Sequence, residues 1–127
     1  MKLGFFIGIM ALAVWACSPV RQVSKSPAIQ AQCGLDSSDY EVVITDPRFD
    51  QWYITNYSGP KDHSNDYYRG KNLIAVSAWN DYYRTGKYGQ VIDSDINYHP
   101  ETDYGIGVNR KLFWYFKFVT VRYGIPL

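Results

Sequence analysis

The feature that most constrains this chain is a concentration of aromatic rings. Of its 22 Tyr, Phe and Trp residues, 19 fall within residues 39–127, and the whole chain has only two cysteines. Small folds usually need a disulfide, a metal or unusually large side chains to hold together. Aromatic residues bury large areas each, so rings can build this core without a bridge. Residues 39–127 are therefore expected to form one small domain.

Punctuation and period give its elements. Residues 40–45, YEVVIT, are rich in β-branched side chains and place Tyr40, Val42 and Ile44 on one face, which predicts a strand. Asp46-Pro47 then predicts a helix start, because Asp accepts from free amides and Pro suits the first turn. That helix aligns Phe49, Trp52, Tyr53 and Tyr57 and stops at Gly59-Pro60. A second helix is expected over residues 66–84, with Tyr68, Ala75, Trp79 and Tyr82 at helical spacing and Gly86 ending it; residues 73–76 also fit a short strand. Residues 90–98 alternate Ile92, Ile96 and Tyr98 against Asp93, Asp95 and Asn97, which predicts a second strand. A last helix runs from Asp103 to near Gly124, with Val108, Leu112, Tyr115, Phe116, Val119 and Tyr123 as its core stripe. The order is β-α-α-β-α, a small α+β domain with helices packed on one face of a small sheet.

The chain ahead of this domain reads as an address. Lys2 is followed by an apolar run over residues 3–15, too short to span a bilayer, and then by Ala16-Cys17. Residues 1–16 are expected to be a signal peptide. Ala-Val-Trp-Ala-Cys, residues 13–17, resembles the bacterial lipobox, in which the cysteine becomes the acylated first residue. Trp15 is larger than the usual residue there. Acylation of Cys17 would anchor the protein to a membrane; the alternative is ordinary cleavage, leaving Cys17 to pair with Cys33. By the same resemblance, Ser18 directly after the cysteine implies an outer-membrane destination, facing the periplasm. Residues 17–38 lack apolar periodicity and are expected to be a tether, with a reach of about 25 Å. Thirteen cations balance twelve acids, which argues against a nucleic-acid binder.

Residues 92–105 hold four acids and one of the two histidines, the densest concentration of chemistry in the chain. Asp93, Asp95 and Asn97 match the first ligand positions of a calcium loop, but Tyr98 and Tyr104 stand where it needs Gly and Glu. On one strand face, Asp93, Asp95 and His99 would lie about 7 Å apart in succession, too spread to grip one ion unaided. A solvated strand face and a helix cap at Asp103 account for these acids better than a metal site or an enzyme built on Asp93, Asp95 and His99. Gly105 and Gly107 are read as permitting close packing of the final helix start, since Arg110 holds the place of the third Gly of a phosphate loop.

No acid follows Asp103, while Arg110, Lys111, Lys117 and Arg122 do. Trp114, Phe118 and Val121 fall on a second apolar strip of the last helix. With Arg110 and Lys117 they form a candidate interaction surface for acidic lipid or an acidic partner. The competing reading is that the fold wraps this helix on two sides, with lysine stems along apolar surface. Tyr67, Tyr68, Trp79, Tyr82 and Tyr83 crowd the second helix and form a candidate aromatic surface for a glycan or a protein.

Ala78-Trp79-Asn80 with Arg84, residues 96–105, Val108-Asn109 and Tyr115-Phe116-Lys117-Phe118 together resemble small uncharacterised lipoproteins typical of Bacteroidetes bacteria. The resemblance covers about residues 40–123. Those proteins usually carry Ile-Asp-Tyr-Asp-Pro where this chain has Ile96-Asn97-Tyr98-His99-Pro100, so both acids are replaced. The resemblance implies a location in the cell envelope and no reaction, cofactor or catalytic residue. The expected function is that of a membrane-anchored, non-enzymatic accessory or interaction protein with an envelope partner. The alternatives are a small glycan- or peptidoglycan-binding module and, last, an envelope enzyme.

Overall fold

The computed structural model describes residues 25–31 and 40–127, so the expected signal peptide, Cys17 and Cys33 lie outside the described residues. Strands β1 (Ala28–Ala31) and β2 (Tyr40–Val43) precede helix α1 (Pro47–Asn56), a short 3-10 turn (Gly59–Lys61), helix α2 (Asn65–Thr85) and helix α3 (Gly105–Tyr123). The domain is a small α+β unit in which three helices pack against a two-stranded antiparallel sheet.

Helix α3 occupies the centre and touches α1, α2 and β2. Its composition explains why. Nine of its residues are buried, from Val108 to Val119, so it is apolar on nearly every side. Such a helix is stable only when neighbours cover it all round. Helix α1 and the residue that caps its end cover one flank with Phe49, Trp52, Tyr53 and Tyr57, whose rings meet Trp114, Tyr115 and Phe118 at centroid distances of 5.5–6.3 Å. Helix α2 covers the other with Tyr68 and Trp79, against Phe113, Tyr115 and Phe116. Edge and tilted contacts dominate these pairs, the geometry that ring quadrupoles favour.

The helix boundaries follow the expected signals. Asp46 accepts from the Arg48 amide, with Pro47 opening α1. Ser64 caps α2, and Gly86 at φ +71° ends it in the left-handed region that suits glycine. Residues 73–76 are helical. Asp103, expected as the cap of the last helix, accepts from the Gly105 amide, but it lies two residues ahead of α3, and the N-cap position is held by Tyr104, whose side chain makes no cap bond. Gly105 is required for its backbone, at φ +80°; neither it nor Gly107 has a neighbour that a side chain would strike, so close packing is not their role.

The second strand is not where the alternation placed it. Residues 90–98 form no strand, although Ile92, Ile96 and Tyr98 do face the core, at 2–8 % exposure. Their backbone is held by side chains in place of a ladder. Asn80 bonds both the N–H and the C=O of Ile96, at 2.8 and 3.0 Å, and the Trp79 indole donates to the Ser94 carbonyl at 2.9 Å. Tyr104 accepts from the His99 amide. The strand that pairs with β2 is Ala28–Ala31, which the sequence placed in the tether. Four residues are too few to display a period, and Ala and Gln have little strand preference; only Ile29, opposite Val42, contributes an inward side chain.

Asp93 secures that N-terminal segment. Its carboxylate accepts from the amides of Lys25 and Ser26 and from the Ser26 hydroxyl, at 2.7–2.9 Å. The same hydroxyl oxygen accepts from the amides of Asp93 and Ser94. A second polar knot lies in the core. Asn72 donates to the Asn109 carbonyl, Asn109 donates to Asn65, and the Tyr98 hydroxyl donates to Asn109 Oδ1, all at 2.8–2.9 Å. Both asparagines are fully buried, so these bonds are needed to offset their desolvation.

Candidate functional site

Three of the five residues of the expected interaction surface are not free to meet a partner. Trp114 is 8 % exposed and Phe118 1 %. Helix α1 lies over the strip they form, as its Trp52 contacts with both show. Arg110 binds Asp62 through two of its nitrogens, Nε to Oδ1 at 3.0 Å and Nη2 to Oδ2 at 2.6 Å, with its guanidinium over the Tyr57 ring. Tyr68 donates to the same carboxylate. Arg110, followed by Tyr68, therefore holds the Asp62 carboxyl well below the usual carboxylate range. Lys117 and Val121 do face solvent, Val121 at 72 %. The Lys117 ammonium sits over the Phe113 and Trp114 rings, so its stem runs along apolar surface.

The expected aromatic platform on α2 also divides. Tyr68 and Trp79 are core residues at 0 % exposure. Tyr82 is half-buried, donating to the Pro126 carbonyl. Tyr67 and Tyr83 are exposed, but sixteen residues of helix separate them by about 24 Å. They form no common stacking surface. Asp93, Asp95 and His99 do not converge either: Asp93 holds the N-terminal segment, His99 faces Glu101 at 3.8 Å, and no group of metal-ligating side chains occurs among the described residues.

What the sequence did not reveal is a groove between α2 and α3. It holds about 430 Å³ and is lined by Tyr67, Lys71, Ile74, Phe113, Lys117 and Val121, with Leu127 at one end. Ile74 is 67 % exposed, as unusual for a large apolar side chain as Val121 opposite it. Neither Lys71 nor Lys117 has an ion-pair partner among the described residues; each ammonium lies over a ring, Lys71 over Tyr67. Exposed apolar side chains flanked by unpaired cations are a binding surface in chemical terms. Half of this was legible: Lys117 and Val121 sit on the side of α3 that the helical projection picked out, but their α2 counterparts need the packing to be found.

A second, polar cleft of about 520 Å³ opens between the start of α1 and the loop after α2. Asp46, Arg48 and Tyr123 form one wall. Asp46 accepts from Arg48 and from the Tyr123 hydroxyl, and Arg48 also donates to that hydroxyl. Burial pushes the Asp46 carboxyl up, but these hydrogen bonds outweigh it and leave it below its ordinary value. Lys25, Gln90 and Asp93 form the opposite side, and Tyr115 reaches in from the core.

The fold and surface define a small α+β domain of ring-packed helices, with no metal cage among its described residues and none of their helices long and apolar enough to cross a membrane. The chain belongs to a family of unknown function, DUF6146, whose model matches residues 5–127. No curated protein and no solved structure matches it.

Proposed function

We propose that this protein is a lipid-anchored interaction module of the cell envelope, probing a partner protein through the α2–α3 groove. The observation that carries the reading is the pairing of exposed Ile74 and Val121 with Lys71 and Lys117, cations that no described carboxylate neutralises. The partner that fits is a protein segment with an apolar anchor flanked by acidic side chains. The apolar part would seat on Phe113, and the acids would meet the two ammonium groups. Attachment through Cys17 is supported by the apolar run at residues 3–15, the lipobox-like residues 13–17 and the resemblance to Bacteroidetes lipoproteins, and Ser18 directly after the cysteine favours the outer membrane.

Photo-crosslinking residues placed at Ile74 and Val121 test this in cells, with Tyr83 as the remote control position. The expected result is a protein adduct at both groove positions, absent at Tyr83 and lost on Lys71→Glu with Lys117→Glu. Adducts to lipid alone, or adducts indifferent to charge reversal, would overturn the protein-partner reading. Cys17→Ala should abolish acyl labelling; label that persists refutes the anchor.

A further inference from the structure

The polar cleft contains a group that the protein's own packing does not use. Tyr115 is 1 % exposed, with its ring wedged among Phe49, Trp79 and Phe118, yet it lines the cleft. Its hydroxyl makes no hydrogen bond to another side chain or backbone group among the described residues. The hydroxyl opens onto the cleft, where a bound molecule can reach it, and a fold that only needed to fill this space would use Phe. Burial raises the phenol's pKa far above neutrality, with the negative charge of Asp46 and Asp93 adding to it, so the group stays a protonated donor and acceptor.

The described residues that line the cleft cancel in charge. Asp46 is matched by Arg48, and Asp93 stands opposite Lys25. Asp46 and Tyr123 are occupied by one another and by Arg48, which fixes their positions, while the Nη1 donors of Arg48 and the Gln90 side-chain amide carry no bond to another described residue. A strongly charged ligand would find no net opposite charge here. A neutral molecule with several hydroxyls would find donors and acceptors in fixed places, in a cleft of the size that holds small ligands.

We propose that this cleft is a binding site for a small, neutral, polyhydroxylated ligand of the sugar class, with the Tyr115 hydroxyl at its floor and Gln90 and Arg48 at its rim. This site lies apart from the α2–α3 groove and does not depend on what that groove binds. It also differs from an aromatic platform, since recognition rests on hydrogen bonds from one buried phenol and its polar walls.

The test uses the full chain in nanodiscs and ligand-observed NMR with three probes: proton saturation transfer to glucose and to N-acetylglucosamine and, as the charged comparator, phosphorus line broadening of inorganic phosphate. The expected result is saturation transfer to a sugar but no phosphate binding. Tyr115→Phe should weaken the sugar about tenfold, the loss of one hydrogen bond, while leaving the melting temperature unchanged or raised. Gln90→Trp, at an exposed rim position, should block binding without touching the core. Phosphate binding in place of sugar, no sugar binding, or sugar binding indifferent to either variant would overturn the proposal. A lowered melting temperature in Tyr115→Phe would do so as well, by showing that the hydroxyl serves the fold.

Discussion

Asn80 on α2 grips Ile96 by both of its backbone groups, Oδ1 accepting from the amide at 2.8 Å and Nδ2 donating to the carbonyl at 3.0 Å. One side chain thereby replaces a neighbouring strand. Asn80→Ala leaves both backbone groups of a core residue without partners and should cost about 2–4 kcal/mol. Urea unfolding of the variant reads this directly.

Trp114 and Val121 separate the buried part of α3 from its exposed part. Trp114→Ala should destabilise by about 3–5 kcal/mol, because its ring contacts α1 at three aromatic residues. Val121→Ser should stay within about 0.5 kcal/mol. Equal effects by thermal melting would mean that α1 does not cover the strip.

Stability should fall in acid through Asp62 and Asp46. Both carboxyls have folded pKa values below their ordinary value of 3.8, so the unfolded chain takes up their protons more readily. Their contribution is fully present well above that value and drains away as pH drops through it towards the folded pKa. Denaturant midpoints measured from pH 6 to pH 2 should decline, and Asp62→Asn should flatten the decline. A wild-type profile independent of pH below 4 contradicts the Asp62–Arg110 geometry.

Asp93→Ala removes the acceptor for two amides and a hydroxyl at the N-terminal segment. Hydrogen exchange at the β1 amides should quicken about tenfold or more, while amides at the middle of α3 keep their protection. Equal acceleration in both places would show that β1 and the core open together.

Where side-chain period and capping chemistry act locally, the sequence was a faithful guide. It placed β2, the three helices and the inward faces of Ile92, Ile96 and Tyr98. It failed where backbone partners come from afar. Nothing near residue 94 says that Asn80, Trp79 and Ser26 will satisfy that segment, so alternation was read as a strand. Nothing within AIQA says that it will meet β2. The same blindness affected the surface. A projection of α3 alone shows Trp114 and Phe118 as a spare apolar strip, and only the position of α1 reveals that it is covered. The motif residues Trp79, Asn80 and Asn109 prove to be architectural, each bonding across elements and not lining a cavity. Tyr115 could not be singled out at all, because a stripe residue with a spare hydroxyl reads as any other core tyrosine.

The Ser26–Asp93 contact shortens the leash. With residues 25–31 held by the domain, eight residues lie between Cys17 and Ser26, and a fully extended chain of that length spans only about 30 Å. An acyl anchor on Cys17 would keep the domain within that distance of the bilayer. Tension on the anchor would then load the bonds at Asp93 before any part of the ring-packed core. Because Lys25 and Asp93 also border the polar cleft, the mouth of that cleft would lie on the load path of a chain anchored at Cys17.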